Sequence, residues 1–239
     1  MLSHRFFSVA LACCAFACSR GEASPNADNS ARAKPGAAAA TTPATTTAAT
    51  NAAKPDTLAV AADHGRVMGS DTASTWLLVV SDFQCPWCKM WHDSTFPALK
   101  KEYVDPGKLR VAYINFPLGM HANAWPSALA AMCASAQGKF WPTHDRIFET
   151  QATWEKMAKP EAYFDSLAIA SGADAARQHE CVQKRSTLQL VQADQARASK
   201  SGAQTTPTFF VGGAMIEGAQ PVKLFRHVID SVLTASTRK

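Results

Sequence analysis

Cys85-Pro86-Trp87-Cys88 holds two thiols at the spacing that supports reversible disulfide exchange. The apolar run Trp76-Leu77-Leu78-Val79-Val80 reads as a buried strand, and Ser81-Asp82-Phe83-Gln84 carries it into the first cysteine. A helix-like stretch follows at once. The first sulfur therefore falls at a helix N-terminus, where unpaired amide N–H groups favour thiolate over thiol. Pro86, at the first helical position, has a suitable φ and needs no donor there. Two other readings stand beside the redox one. Half of a structural zinc site would need a second CxxC or a paired His motif, and the remaining cysteines are far apart. An inert structural disulfide is the third, although Pro and Trp are uncommon flanks for one.

The other cysteines bear on where the chain works. Met1 to Arg5 is a short basic region, and Phe6 to Ala17 is an apolar stretch too short to span a bilayer. Residues 1–17 read as a signal peptide. Ala15-Phe16-Ala17-Cys18 fits an ordinary signal-peptidase site and also resembles a bacterial lipobox, with Ala15 where Leu is usual. Cleavage before Cys18 leaves Cys18, Cys85, Cys88, Cys133 and Cys181. If Cys18 carries lipid, the other four can form two bridges in an oxidising compartment. Cys133 and Cys181 are then expected to form a structural bridge, with a second redox pair or two free thiols as rivals. The expected location is the cell envelope, lipid-anchored in the periplasm, with a freely soluble secreted form as the alternative.

At 239 residues, with 47% hydrophobic and 18% charged residues, the chain suits one globular domain with appendages. A net charge of +5, with basic residues scattered among acids, gives no nucleic-acid surface. Residues 18–57 collapse to Ala, Thr, Pro, Asn and Ser without an aromatic, too little to fold alone. They read as a disordered tether, on the order of 35 Å in mean reach. The folded unit spans 58–239. Leu58-Ala59-Val60 and Arg66-Val67-Met68-Gly69 suggest a preliminary strand or hairpin, and Pro97 is expected to kink the helix after the CxxC. Leu109 to Phe116 alternates as a strand. From about 121 to 201 the pattern is helical, with Asp174 as an N-cap. Thr208-Phe209-Phe210-Val211, a Gly212-Gly213 turn and Ala214-Met215-Ile216-Glu217 form a hairpin before a closing amphipathic helix. The order describes an α/β thioredoxin-type sheet with a helical insertion between the CxxC half and the proline half.

These residues resemble the DsbA-like branch of the thioredoxin superfamily. The matching stretches are Ser81 to Lys89, Phe116-Pro117-Leu118, Cys133 to Trp141, and Thr206-Pro207-Thr208-Phe209-Phe210-Val211-Gly212-Gly213. The similarity runs from roughly Gly65 to Leu233, the whole folded unit. It implies that the Thr206–Pro207 bond is cis and lies beside Cys85 and Cys88; an ordinary trans proline opening an edge strand is the reading without it. It also implies that Thr206 can pair with an extended substrate, holding its sulfur in line with Cys85. One departure stands out. Relatives often bury an acid six residues before the nucleophilic cysteine, where this chain has Val79. Asp82 reads as a solvated loop acid or turn former, with proton transfer through water as the alternative.

The expected activity is exchange of disulfides with cysteines of exported proteins, Cys85 being the exposed, low-pKa partner and Cys88 the buried one. Trp87 offers substrate an apolar platform but no positive charge, so a less strongly oxidising couple is expected than in relatives with His there. Disulfide donation, served by a DsbB-like or similar membrane partner, is favoured. A reductase or isomerase of the same fold, or a non-catalytic metal- or peptide-binding module, are the alternatives. No cofactor and no metal site is expected. His92 reads as a surface helix residue and His121 as a loop or capping residue, with approach to the sulfurs as the alternative for either, and His144 reads as a packed residue rather than a ligand.

Overall fold

The computed structural model describes residues 56–236. The leader at 1–17, the anchor at Cys18 and the tether up to residue 55 lie outside the described residues. The elements are α1 (Thr57–Gly65), β1 (Val67–Met68), β2 (Thr75–Ser81), α2 (Pro86–Ser94), α3 (Phe96–Leu99) and a π-helical turn (Lys100–Val104), followed by β3 (Leu109–Asn115). The helical block holds α4 (Ala124–Ser135), α5 (Phe140–Glu149), α6 (Gln151–Trp154), α7 (Glu161–Ala170), α8 (Ala175–Gln183) and α9 (Leu188–Lys200). The chain closes with β4 (Thr208–Val211), β5 (Ala214–Glu217) and α10 (Val222–Ser236).

The five strands run in the order β1-β3-β2-β4-β5. β2 is central, parallel to β3 and antiparallel to β4. A central strand covered on both faces must be apolar along its length, which is why Trp76 to Val80 shows no clean alternation. Leu77 and Val79 pack with Trp91, Phe96, Leu99, Phe209, Phe225 and Ile229, so α2, α3 and α10 cover one face. Val80 points the other way, toward Phe116, Ala198 and Ala203. Gly212 and Gly213, at φ 55° and 88°, make the turn that pairs β4 with β5; this is the left-handed region that suits glycine.

The helical block has its own core. α4 is buried almost all round, and Leu129, Met132, Phe140, Ile147, Phe148, Trp154, Phe164 and Val191 pack in one cluster with Phe83, Cys85, Cys88 and Tyr113. The insertion is thus built onto the CxxC. Cys133 on α4 and Cys181 on α8 are joined by a disulfide with a Cα–Cα distance of 5.8 Å, and Asp174 caps α8 by accepting from the Arg177 amide.

The start of the folded unit departs from expectation. Residues 57–65 form a helix, capped by Asp56 accepting from the Leu58 amide, and only Val67–Met68 pair as a strand. A short apolar run such as Leu58-Ala59-Val60 has no period long enough to separate strand from helix; Ala62, one turn on, is the residue that buries. Pro97 acts as expected. It has no N–H to give the Asp93 carbonyl, and the helix divides at Thr95.

Candidate active site

Cys85 is the N-cap of α2 and Pro86 its first residue. The cap is set by a turn in which the Cys85 amide donates to the Asp82 carbonyl at 3.1 Å, while the Cys85 carbonyl accepts from the Lys89 amide at 3.1 Å. Thr206–Pro207 is cis, and the loop is pinned by Gly218 N–H donating to the Pro207 carbonyl at 2.8 Å and the Thr208 hydroxyl donating to Thr205 at 2.8 Å. This brings two stretches 121 residues apart together: the Cys85 thiol lies 3.4 Å from the Thr206 carbonyl, donating to it. Cys85 and Cys88 are both free thiols here.

The two sulfurs are electrostatically opposite. The Cys85 thiol is lowered to about 6: the Cys88 thiol donates to it, the Thr206 side chain and the amides of Cys88 and Trp87 add to this, and burial opposes them. The Thr206 hydroxyl is buried without a hydrogen-bond partner in this dithiol state, so it is free to serve the thiolate. Cys88 is pushed well above the ordinary thiol range, first by burial and then by its bond and charge repulsion with Cys85. Backbone and hydroxyl groups of Asp82 and Ser81 offset only part of that.

Two expectations need correction. Cys85 is not exposed: only 3% of it meets solvent, because it belongs to the cluster that Phe83 and Tyr113 form with the helical block. Asp82 is not a solvated loop acid, being 2% exposed. Its carboxylate does form the expected turn, accepting from the Gln84 amide at 2.7 Å, but it also accepts from the Leu118 amide at 2.9 Å and lies 2.8 Å from His121 Nδ1. Burial raises the Asp82 carboxyl above its usual range against the pull of those bonds. His121 is therefore a partner of the acid beside Cys88 rather than a plain loop or capping residue. Val79, where the family's acid would stand, is buried in the apolar sheet core.

Some residues of the site had no signal in local sequence. Gln151 on α6 donates to the carbonyls of Phe83 at 2.6 Å and Cys85 at 3.2 Å. Gln84 donates to Glu155 and accepts from the Asn123 amide, and the Asn123 side chain donates to Trp154 and Met157. Side-chain amides of the insertion thus fix the turn that presents the sulfur. Trp87, between the two cysteines, is 60% exposed, and Met120, next to His121, is 83% exposed. His92 is not a free surface residue; it shares Asp145 with His144, which is packed as expected.

A low-pKa thiol at a helix N-terminus, a buried second thiol and a facing proline loop make a dithiol built for disulfide exchange. The family model described as thioredoxin matches residues 61–231. Disulfide bond formation protein D of Bacillus subtilis is 25% identical over 173 residues, covering 70% of this chain and 76% of that protein. The oxidised BdbD structure from Bacillus subtilis matches with a TM-score of 0.65 at 23% identity, over 72% of this chain and 94% of that one. The alpha-DsbA1 structure from Wolbachia pipientis matches with a TM-score of 0.64 at 20% identity, over 72% and 92%. The chain belongs to the thioredoxin family, among its DsbA-like thiol–disulfide oxidoreductases. Among the described residues, no helix is long and apolar enough to cross a membrane.

Proposed function

We propose that this protein donates disulfides to cysteines of exported polypeptides, with Cys85 as the attacked sulfur. The observation that carries this is the split between the two thiols, about 6 for Cys85 and far above the usual range for Cys88. A stabilised Cys85 thiolate stabilises the reduced dithiol, which makes the oxidised form a ready electron acceptor.

The reaction starts from the Cys85–Cys88 disulfide. A substrate thiolate bonds to Cys85 Sγ and the Cys85–Cys88 bond breaks, leaving Cys88 as a thiolate that takes up a proton. A second substrate thiolate then attacks the substrate sulfur of the mixed disulfide and releases Cys85 as a thiolate. Two substrate thiols lose two electrons and the CxxC gains them. Thr206 presents its backbone beside Cys85 for the incoming segment, and Trp87 and Met120 give it apolar purchase. Asp82, raised by burial and bonded to His121, is the group nearest in chemistry to a proton donor for Cys88, in place of the acid absent at Val79.

The relative from Bacillus subtilis, named for disulfide bond formation, supports the donor direction. The leader at 1–17 would direct export and a lipid on Cys18 would tether the domain to the cell envelope, where a membrane redox partner would reoxidise it. The test is refolding of a reduced, disulfide-dependent protein by the oxidised enzyme. Donation predicts recovery of its activity with one disulfide delivered per enzyme in the absence of other oxidants. Insulin reduction without refolding activity, together with a reduced CxxC in growing cells, would assign a reductase or isomerase instead.

A further inference from the structure

Behind the CxxC, two helices bring together three groups that the disulfide chemistry does not use. His92 lies on α2 one turn past Cys88, and His144 and Asp145 lie on α5. One donor atom from each falls within 4.8 Å of the others. Asp145 Oδ1 is 3.1 Å from His92 Nε2 and 2.8 Å from His144 Nδ1. Ligands of a tetrahedral zinc ion at about 2.0–2.1 Å sit roughly 3.3 Å from one another, so both distances to Asp145 already lie within about half an ångström of that spacing, and the two imidazole nitrogens, within 4.8 Å of each other, draw together to complete the set.

The surroundings are those of a held ligand set. Asp93 lies 2.7 Å from His92 Nδ1, and Lys89 donates to Asp93 at 2.7 Å. A carboxylate on the far nitrogen of an imidazole fixes the ring and raises its basicity as a ligand. Phe148 stacks on His92 with centroids 5.0 Å apart, and Trp141 and Phe148 meet His144 edge-on, each at 5.0 Å. The His144 side chain is 3% exposed, His92 12% and Asp145 48%, so the cluster opens to solvent at the carboxylate. The exposed carboxylate gives an ion a way in from solvent.

We propose that His92, His144 and Asp145 form a binding site for a divalent transition ion of the zinc type, joining the active-site helix α2 to α5 of the insertion. Two imidazoles and one carboxylate suit zinc or cobalt(II), with a fourth position for water. The site is separate from the cysteines, and the Cys85–Cys88 bond does not compete with it.

The test uses the oxidised protein, free of any affinity tag, titrated with cobalt(II) and then with zinc. The expected result is one cobalt ion per chain, with visible d–d bands, no sulfur-to-cobalt charge-transfer band, and displacement by zinc. His92→Gln and Asp145→Asn should each weaken binding at least about tenfold, and Asp93→Asn by about 10- to 100-fold. Circular dichroism of each variant reports folding, and His92→Gln, at a half-buried position, is the variant on which the comparison rests. Absence of stoichiometric cobalt binding, equal binding by folded His92→Gln, or a sulfur charge-transfer band in the oxidised protein would each overturn the proposal. The cluster would then be only a hydrogen-bonded bridge between helices.

Discussion

Two cysteines of identical chemistry become unlike within one turn of helix. Cys85, at the N-cap, meets the Cys88 thiol, the Thr206 side chain and the amides of Trp87 and Cys88; Cys88, inside the turn, meets burial and its partner's charge. Reduced protein should therefore show one thiolate absorbance step near pH 6 that is lost in Cys85→Ser. A depressed folded pKa stabilises the fold above the unfolded value of about 8.5, and that stability fades as pH falls through 6. Thermal melts of reduced protein, compared with Cys85→Ser, should thus show an advantage at pH 8 that vanishes at pH 5. Trp87 contributes no positive charge, so Trp87→His should raise the reduction potential by about 30 mV or more, a tenfold change in equilibrium or greater; an unchanged or lower potential in glutathione buffers would count against this. Asp82 is the buried acid of the site. Asp82→Asn should slow mixed-disulfide formation by about 10²-fold and flatten its pH dependence in stopped-flow measurements, whereas a purely structural role would lower stability and leave the profile unchanged.

Among the elements, the helical insertion is what holds the reactive turn. Gln151 on α6 carries the carbonyls of Phe83 and Cys85, and Asn123 and Gln84 tie the same turn to α4 and α6. The Cys133–Cys181 bridge closes a separation of 48 residues between α4 and α8. Constraining an unfolded loop of that length contributes about 4 kcal/mol. Cys133→Ser with Cys181→Ser should lower stability in urea by about that amount while thiol exchange at Cys85 continues; loss of exchange in folded double variant would give the bridge a redox role. Local signals were readable here. The Asp174 cap, the Gly212–Gly213 turn and the break at Pro97 each depend on a few neighbouring residues. The Leu58 to Val60 helix was not, because three apolar residues fit either period. Nor were the Gln151 and Asn123 contacts, since an amide carries no sign of which distant carbonyl it will meet.

For the whole molecule, the thioredoxin-type sheet with its helical insertion was legible from the order of the elements, and the meeting of Cys85 with Thr206 followed from the family resemblance that the two motifs carry. Burial was not. The position of a cysteine at a helix N-terminus suggests exposure, yet the insertion folds over it and leaves the residue 3% exposed. Asp82 was misjudged for the same reason, since Leu118 and His121 reach it from beyond β3. The proposed reaction brings substrate to Cys85 from the side of the Thr206 backbone. The most direct test is trapping in cells expressing the full chain with Cys88→Ala. The account predicts mixed disulfides between Cys85 and several exported proteins, absent when Cys85→Ala replaces it. Equal trapping through Cys88 in the Cys85→Ala chain, or no protein-linked adduct from either, would contradict it.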